Sequence, residues 1–494
     1  MKTASRNRRF SLYLTALAAA CAGLGYAWWT VHHAWRDGYG DGDMSWHTQA
    51  DPRALSGGDL TVFHEGFMPF GQSPNNLPWQ YEAIFEAGDG VFDKSFIPGD
   101  GKTASQIKTD GGTRRRGLGP LFNASGCAEC HFRDGRVERP YVGGGEMMGM
   151  FLRLSVPDGK GGWKPPDGYH HQLHDRALAG VPAEGKGHID WEEVPGVFPD
   201  GETWSLRKPN FRISDLAHGP LPTDTVIEAR SAPPVHGGGL LEAIADGTLL
   251  AHAERQKNDP DGVSGKPNYV TDPETGQRVL GRFSLKANET SLRAQAAGAA
   301  FNDMGITSVI HRKEGCLPHQ KECAAAKNGG TPEEPELTAK QLDDLTIYLQ
   351  LLAVPARRNL DDPVAQRGEE LFKQARCNAC HVDTVQTGDT HPIERLRRQT
   401  IHPYSDLLLH DMGPGLTGRP DGEATAQEWR TPPLWGIGLT QRSNHHTNFL
   451  HDQRARNLQE AILWHDGEAT VAKGRFIGMK KEDRAALIRF LESL

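Results

Sequence analysis

Two pentapeptides constrain this 494-residue chain more than anything else in it: CAECH at Cys127 to His131 and CNACH at Cys377 to His381. Two thiols three positions apart can reach the two vinyl groups of one porphyrin, and the adjacent histidine lies under the iron as its ligand. Pooled as one four-thiolate site the two pairs could hold zinc, but zinc ribbons place their pairs roughly 15–20 residues apart and here about 250 intervene. A redox-active CxxC needs no following histidine. The motifs therefore read as two covalently bound haem c groups, attached through Cys127, Cys130, Cys377 and Cys380, with His131 and His381 as metal ligands. Everything else is then scaffold, tuning or access for two irons.

The N-terminus agrees. Lys2, Arg6, Arg8 and Arg9 precede an almost uncharged stretch from Phe10 to Trp29, a positive n-region and an apolar h-region that together signal export. The apolar run is about 20 residues, enough to span a bilayer, and Trp28 and Trp29 suit its interface. No A-x-A site stands out, so residues 1–35 read either as a removed signal peptide or as an inner-membrane anchor, and the rest as periplasmic. Cys21 makes a poor lipobox. Of the 7 cysteines only Cys316 and Cys323 are then left over, and in an oxidising compartment two thiols this close most simply form a disulfide.

The net charge of −8 argues against nucleic acid as a partner, and the Arg114 to Arg116 triplet reads as a solvated loop. The 57 glycines and 32 prolines predict long irregular connections. Such richness is tolerable where haems supply apolar volume.

An internal repeat organises the chain. Leu121-Phe122 and Leu371-Phe372 stand at the same distance ahead of the two motifs. SDLAHGPL (from Ser214) answers SDLLLHDMGPGL (from Ser405), and APPVHGGGL (from Ala232) answers TPPLWGIGL (from Thr431). Each half closes on an amphipathic helix. In the first, Thr338 and Gln341 form a capping box ahead of Leu342, Leu345, Leu349 and Leu352. In the second, Leu487, Phe490, Leu491 and Leu494 repeat at three and four. The expected fold class is mainly α, with two cytochrome c-like domains over residues 36–359 and 360–494, and with Phe372 packed on Phe490. The first is enlarged by a loop-rich insertion, roughly Tyr141 to Thr203, whose glycine, proline and aspartate predict loops or a short hairpin.

The halves differ where a sixth iron ligand would stand. In the second, Met412 offers a thioether from the loop between attachment motif and terminal helix, with His410 and then Tyr404 as competitors. The corresponding loop of the first half offers His218 instead, able either to ligate iron or to move protons over an open site. His236 and Glu146 are further candidates on that side. Met304 falls outside the distal loop when the halves are aligned and reads as structural. Trp435 and Trp464 read as packing residues, and Arg430 and Arg454 as partners for haem propionates.

GLGPLFNASGCAECHFRDGR, APPVHGGGLLEAI, NDMGITS, LAVPARR, SDLLLHDMG, EWRTPPLWGIGL and FLHDQRARNLQEAILWHDGEA, in this order, closely resemble the bacterial di-haem oxidoreductase family, related to di-haem cytochrome c peroxidases and also described as thiol oxidoreductases. Gln453 stands where that pattern has a glycine, and His218 where it has an aromatic. The resemblance implies a periplasmic enzyme with one electron-relay haem, one reactive haem and calcium between its domains. The expected activity is peroxidase-like, with His381 and Met412 holding the relay haem, a small periplasmic protein donating electrons, and His218 or Glu146 as the catalytic proton-moving group at the His131 haem. The competing expectations are an electron carrier with both irons six-coordinate, and an oxygenase or protein-modifying oxidase.

Overall fold

A pair of crossing helices forms the centre of each half, and a glycine sets how closely each pair approaches. The computed structural model describes residues 50–103, 105, 116–137 and 149–494. Helices α1 (Trp79–Asp93), α2 (Leu292–Met304) and α3 (Ala339–Leu351) build the first half, and α4 (Pro363–Gln374), α5 (Leu458–Trp464) and α6 (Lys481–Ser493) the second. The α3 helix starts at the expected capping box, in which Thr338 and Gln341 each accept from the other's backbone N–H. Its buried face carries Leu342, Leu345, Tyr348 and Leu349. Phe85 and Phe92 of α1 pack on Tyr348 with ring centroids 4.9 and 5.5 Å apart. A Cβ on Gly88 would stand 2.2 Å from the Asp344 carbonyl oxygen, so only glycine fits that crossing.

The second half repeats the device. Asp362 caps α4 by accepting from the N–H groups of Val364 and Ala365, with Pro363 at the first helical position. Gly368 meets the Ala486 carbonyl, 1.9 Å from where its Cβ would be. The expected Phe372–Phe490 contact is present, at 5.3 Å between centroids.

The Leu-Phe landmark does not behave alike in the two halves. Leu371 and Phe372 lie on α4, whereas Leu121 and Phe122 form a two-residue strand antiparallel to Arg176–Ala177. The α1 helix ends at Asp93, well ahead of Cys127, and Phe92 takes the structural place of Phe372 beside the motif histidine.

The expectation of a mainly α fold is overturned: the described residues are 32% helix and 18% strand. The insertion and its flanks are the main cause. Strands β1 (Met150–Pro157), β2 (Lys186–Val197), β3 (Thr203–Ser214) and β4 (Val226–Ser231) occupy it. The β2–β3 hairpin is paired along its length, from Lys186 opposite Ser214 to Val197 opposite Thr203. β1 lies between β4 and the short Trp163–Lys164 strand, antiparallel to both. Met150, Leu152 and Leu154 alternate into a small core with Tyr169 and Leu173. Pro195 and Pro209 sit inside β2 and β3, which argues against central strands. A two-stranded hairpin has only edges, and edges tolerate proline.

That hairpin reaches the other half. Phe198 at its turn stands 6.4 Å from Phe476, and the Arg484 guanidinium lies 3.8 Å above the Phe198 ring. Arg484 also donates to Asp200 and Glu202, both at 2.7 Å. Asp51–Leu494 thus clusters as one compact unit. Among the described residues no helix is long and apolar enough to cross a membrane; the 1–35 segment, with Cys21, lies outside them.

Candidate haem sites

Both CxxCH motifs adopt the same local form, a 3-10 turn starting at the first cysteine. In each, the histidine backbone N–H returns to the first cysteine's carbonyl, at 2.9 Å for His131 and 3.0 Å for His381. This turn brings the histidine under the two thiols. The imidazoles are then fixed from outside. Nδ1 of His131 donates to the Pro233 carbonyl at 2.8 Å, and Nδ1 of His381 to the Tyr404 carbonyl at 2.9 Å. A backbone acceptor on Nδ1 selects the tautomer whose Nε2 lone pair is free for a metal. Burial pushes both histidines down to about 4, so both are neutral at neutral pH, as ligation requires. Burial also pushes the Cys377 thiol up to about 12 and raises Cys130 and Cys380. Such thiols do not favour a zinc thiolate site, and the four CxxC sulfurs do not converge on one point among the described residues.

An aromatic ring backs each histidine. Phe92 stands 5.8 Å from His131 and Phe372 stands 6.3 Å from His381, inclined at 49° and 54°. The repeat is therefore real at the proximal side. It fails at the acceptor: Pro233 belongs to the APPVHGGGL landmark, while Tyr404 directly precedes SDLLLHDMG.

At the second site, His410 is not available to iron. Its Nδ1 faces Glu468 at 2.7 Å and its Nε2 faces Asp406 at 2.9 Å. It lies 3.6 Å from the Cys380 sulfur and, although burial opposes it, the Asp406 carboxylate and the Cys380 sulfur hold its pKa well above the usual range. It is a buried cation that positions the attachment thiol. Tyr404 is engaged through its carbonyl. The Met412 N–H donates to the Gln427 carbonyl at 3.0 Å, which fixes its backbone beside the Pro414–Leu416 turn.

A residue the repeat argument passed over comes closer to His381 in kind. His465 follows α5, with its ring centroid 6.5 Å from that of His381 and the planes at 48°. Its Nδ1 donates to the Ala461 carbonyl at 2.7 Å, and its Nε2 has no protein partner among the described residues. Imidazoles on opposite sides of one metal stand about 6 Å apart, twice a bond of ~2 Å plus the ring radius. The pair therefore fits a haem iron. The sequence signal lies in LWHDGEA, within the last of the segments that carry the family resemblance.

The first site is wrapped by a loop of the second half. Asn444 Nδ2 donates to the Phe132 carbonyl at 2.6 Å, Arg136 to the Leu450 carbonyl at 3.2 Å, and Gln453 Nε2 to the Val137 carbonyl at 3.1 Å. Gln453 has φ +59°, which explains why a glycine was expected there. Its amide secures the six residues after His131, and a glycine would not.

His218 and His236 are both committed elsewhere. The His218 ring lies against Tyr169 at 5.7 Å and His319 at 4.7 Å, and Gln320 Nε2 is 3.3 Å from its Nε2. None of its described contacts is with His131. His236 stacks on Phe70 at 4.5 Å, and its Nε2 donates to the Trp435 carbonyl at 3.2 Å. Glu146 lies outside the described residues. Met304 is buried in the first core, and Trp435 packs there too. Trp464 lies 4.7 Å under the Arg454 guanidinium. Arg454 is neutralised by Asp452 at 2.8 and 3.0 Å. Arg430 donates only to the carbonyls of Ser284 and Thr431, has no carboxylate partner among the described residues, and is pushed down to about 10 by burial. Of the two arginines it is the one that fits a propionate. Cys316 and Cys323 are joined as a disulfide.

The chain matches the family described as "di-haem oxidoreductase, putative peroxidase" over residues 51–494, and it belongs to that family. It is thus an oxidoreductase whose cofactors are haems. No curated protein and no solved structure matches it.

Proposed function

We propose that the chain is a periplasmic c-type oxidoreductase of peroxidase type, with one relay haem and one reactive haem. Attachment is covalent at Cys127 and Cys130 in the first half and at Cys377 and Cys380 in the second. When bound, the haems supply one-electron chemistry, and an iron with an open position can act on an O–O bond. The inequality of the two sites carries this reading: the His465 ring, its Nε2 without a protein partner among the described residues, has its centroid 6.5 Å from that of His381, and no described imidazole stands so near His131. We assign His465, ahead of Met412, as the second protein group that would hold the haem at His381. The chain would then hold that haem through two histidines and the other through His131 alone, which would leave the His131 site to the substrate.

His410, Asp406 and Glu468 hold the Cys380 side of the relay site rigid, and Arg430 supplies charge for a propionate. The loop from Asn444 to Gln453 shields the segment after His131 from water and joins the two sites mechanically. Proton delivery at the first site falls to the insertion, where Glu146 stands; His218 belongs to a separate hydrogen-bonded cluster. A small periplasmic protein is the proposed electron donor.

The test begins with intact mass after denaturation, where two haem masses retained per chain are expected. Peroxide-dependent oxidation of a reduced small donor protein should follow, and it should fall at least tenfold in His131→Gly. Retention of both haems without peroxide turnover overturns the enzymatic part and favours an electron carrier.

A further inference from the structure

Away from both haem motifs, the insertion brings His170, His174 and Glu184 together, and their ligand atoms all lie within 4.8 Å of one another. We propose that this cluster is a binding site for one divalent first-row transition ion of the zinc type, clamping the insertion to the first half.

The hydrogen bonds carry the inference. Nε2 of His170 lies 2.6 Å from the Gly315 carbonyl and Nε2 of His174 lies 3.0 Å from the Asn302 carbonyl. Carbonyls only accept, so both Nε2 atoms carry the proton. A neutral imidazole has one proton, which leaves a lone pair on each Nδ1. Those Nδ1 atoms face the two oxygens of Glu184, at 2.6 and 3.0 Å. Glu184 is fully buried, and its oxygens also accept from the backbone N–H groups of His170 and His174. These bonds favour an ionised carboxylate, which is an acceptor only.

Two lone pairs therefore point at an anion inside the protein. Either two further protons or one cation must lie between them. Two protons make two imidazolium rings in edge contact, 4.8 Å apart, each repelling the other in a site shielded from water. One divalent ion satisfies all three groups at once. The outward Nε2–H to backbone carbonyl bonds are those that orient ligating histidines. Two imidazoles and a carboxylate form a donor set for zinc or another first-row ion rather than the all-oxygen cage calcium takes. Gln320 Nε2, 3.3 Å from Glu184, and the His218 ring beyond it border the remaining side.

The three anchor points belong to separate stretches of chain: the insertion, the end of α2, and the loop beside the Cys316–Cys323 disulfide. Between the two histidines, Gln172 donates to Asn123 Oδ1 and Asp303 Oδ1, both at 2.8 Å. Asn123 lies four residues before Cys127, so an ion here would brace the approach to the first motif without touching it.

The test uses the intact holoprotein, equilibrated with zinc and dialysed. Elemental analysis counts zinc separately from haem iron, and zinc-edge X-ray absorption reads its ligands. About one zinc per chain is expected, bound to nitrogen and oxygen with no sulfur. It should be lost in His170→Gln and His174→Gln and retained in His319→Ala, with unchanged haem spectra confirming that each variant folds. Zinc below a tenth of an equivalent in the wild type, a sulfur-containing ligand set, or undiminished zinc in both histidine variants overturns the proposal. The first of these results leaves two imidazolium protons as the occupants.

Discussion

Gln453 offers a quantitative check on how the second half holds the first haem segment. The residue is buried at φ +59°, where an L side chain costs about 1–2 kcal/mol. Its Nε2 offsets that by donating to the Val137 carbonyl at 3.1 Å and the Ser231 hydroxyl at 2.5 Å. Gln453→Leu keeps the strain and strands two buried acceptors at about 1–3 kcal/mol each. Relief of the unpartnered Gln453 Oε1 returns part of this, so a net loss of about 2–4 kcal/mol is expected. Gln453→Gly breaks the same two bonds but releases the backbone strain and admits water, leaving a loss of roughly 1–2 kcal/mol. Urea unfolding of the holoproteins, read by far-UV circular dichroism, should rank wild type above Gly above Leu. A glycine variant equal to or less stable than the leucine variant would refute the balance of strain against hydrogen bonding.

Three further outcomes follow from the same geometry. His465→Gly should turn the second haem from low-spin to high-spin and exchangeable, with added imidazole restoring the low-spin spectrum, whereas Met412→Leu should leave the spectrum unchanged; the reverse pattern would return the ligand role to Met412. Burial pushes Asp134 up to about 7, against an ordinary 3.8. The native state therefore holds a proton that the unfolded chain releases, and stability falls as pH rises from about 4 to 7, by at most roughly 4 kcal/mol. Asn tolerates the φ of +60° there and can still accept from Tyr348, so Asp134→Asn should flatten that pH dependence, and parallel stability curves would contradict it. Phe490→Ala should cost about 3–5 kcal/mol, because the ring is fully buried against Phe372 and Tyr404; a midpoint shift worth under 1 kcal/mol would show that the helix crossing does not carry the second core.

The parts of this molecule set by local chemistry could be read from the chain. The CxxCH turns, the Thr338–Gln341 capping box, the Phe372–Phe490 contact and the Cys316–Cys323 bond all depend on residues whose roles need little tertiary context. The parts that failed depend on partners far away in sequence. His218 looked equivalent to Met412 because the letters around them repeat, yet the insertion carries it off to Gln320 and His319. His410 looked like a ligand until Asp406 and Glu468 were seen on its two nitrogens. A short hairpin was legible in the insertion, but not the length of β2–β3, because its prolines and charges read as loop and only pairing along both strands extends it. His465 was missed for the opposite reason: it sat in a landmark treated as scaffold.

The most direct test of the central claim, that the two haem sites are unequal, is electron paramagnetic resonance of the holoprotein, fully oxidised and half-reduced, with and without cyanide. The account predicts one low-spin bis-histidine signal indifferent to cyanide and one high-spin signal that cyanide converts. Two low-spin signals, both unresponsive in both oxidation states, would contradict it.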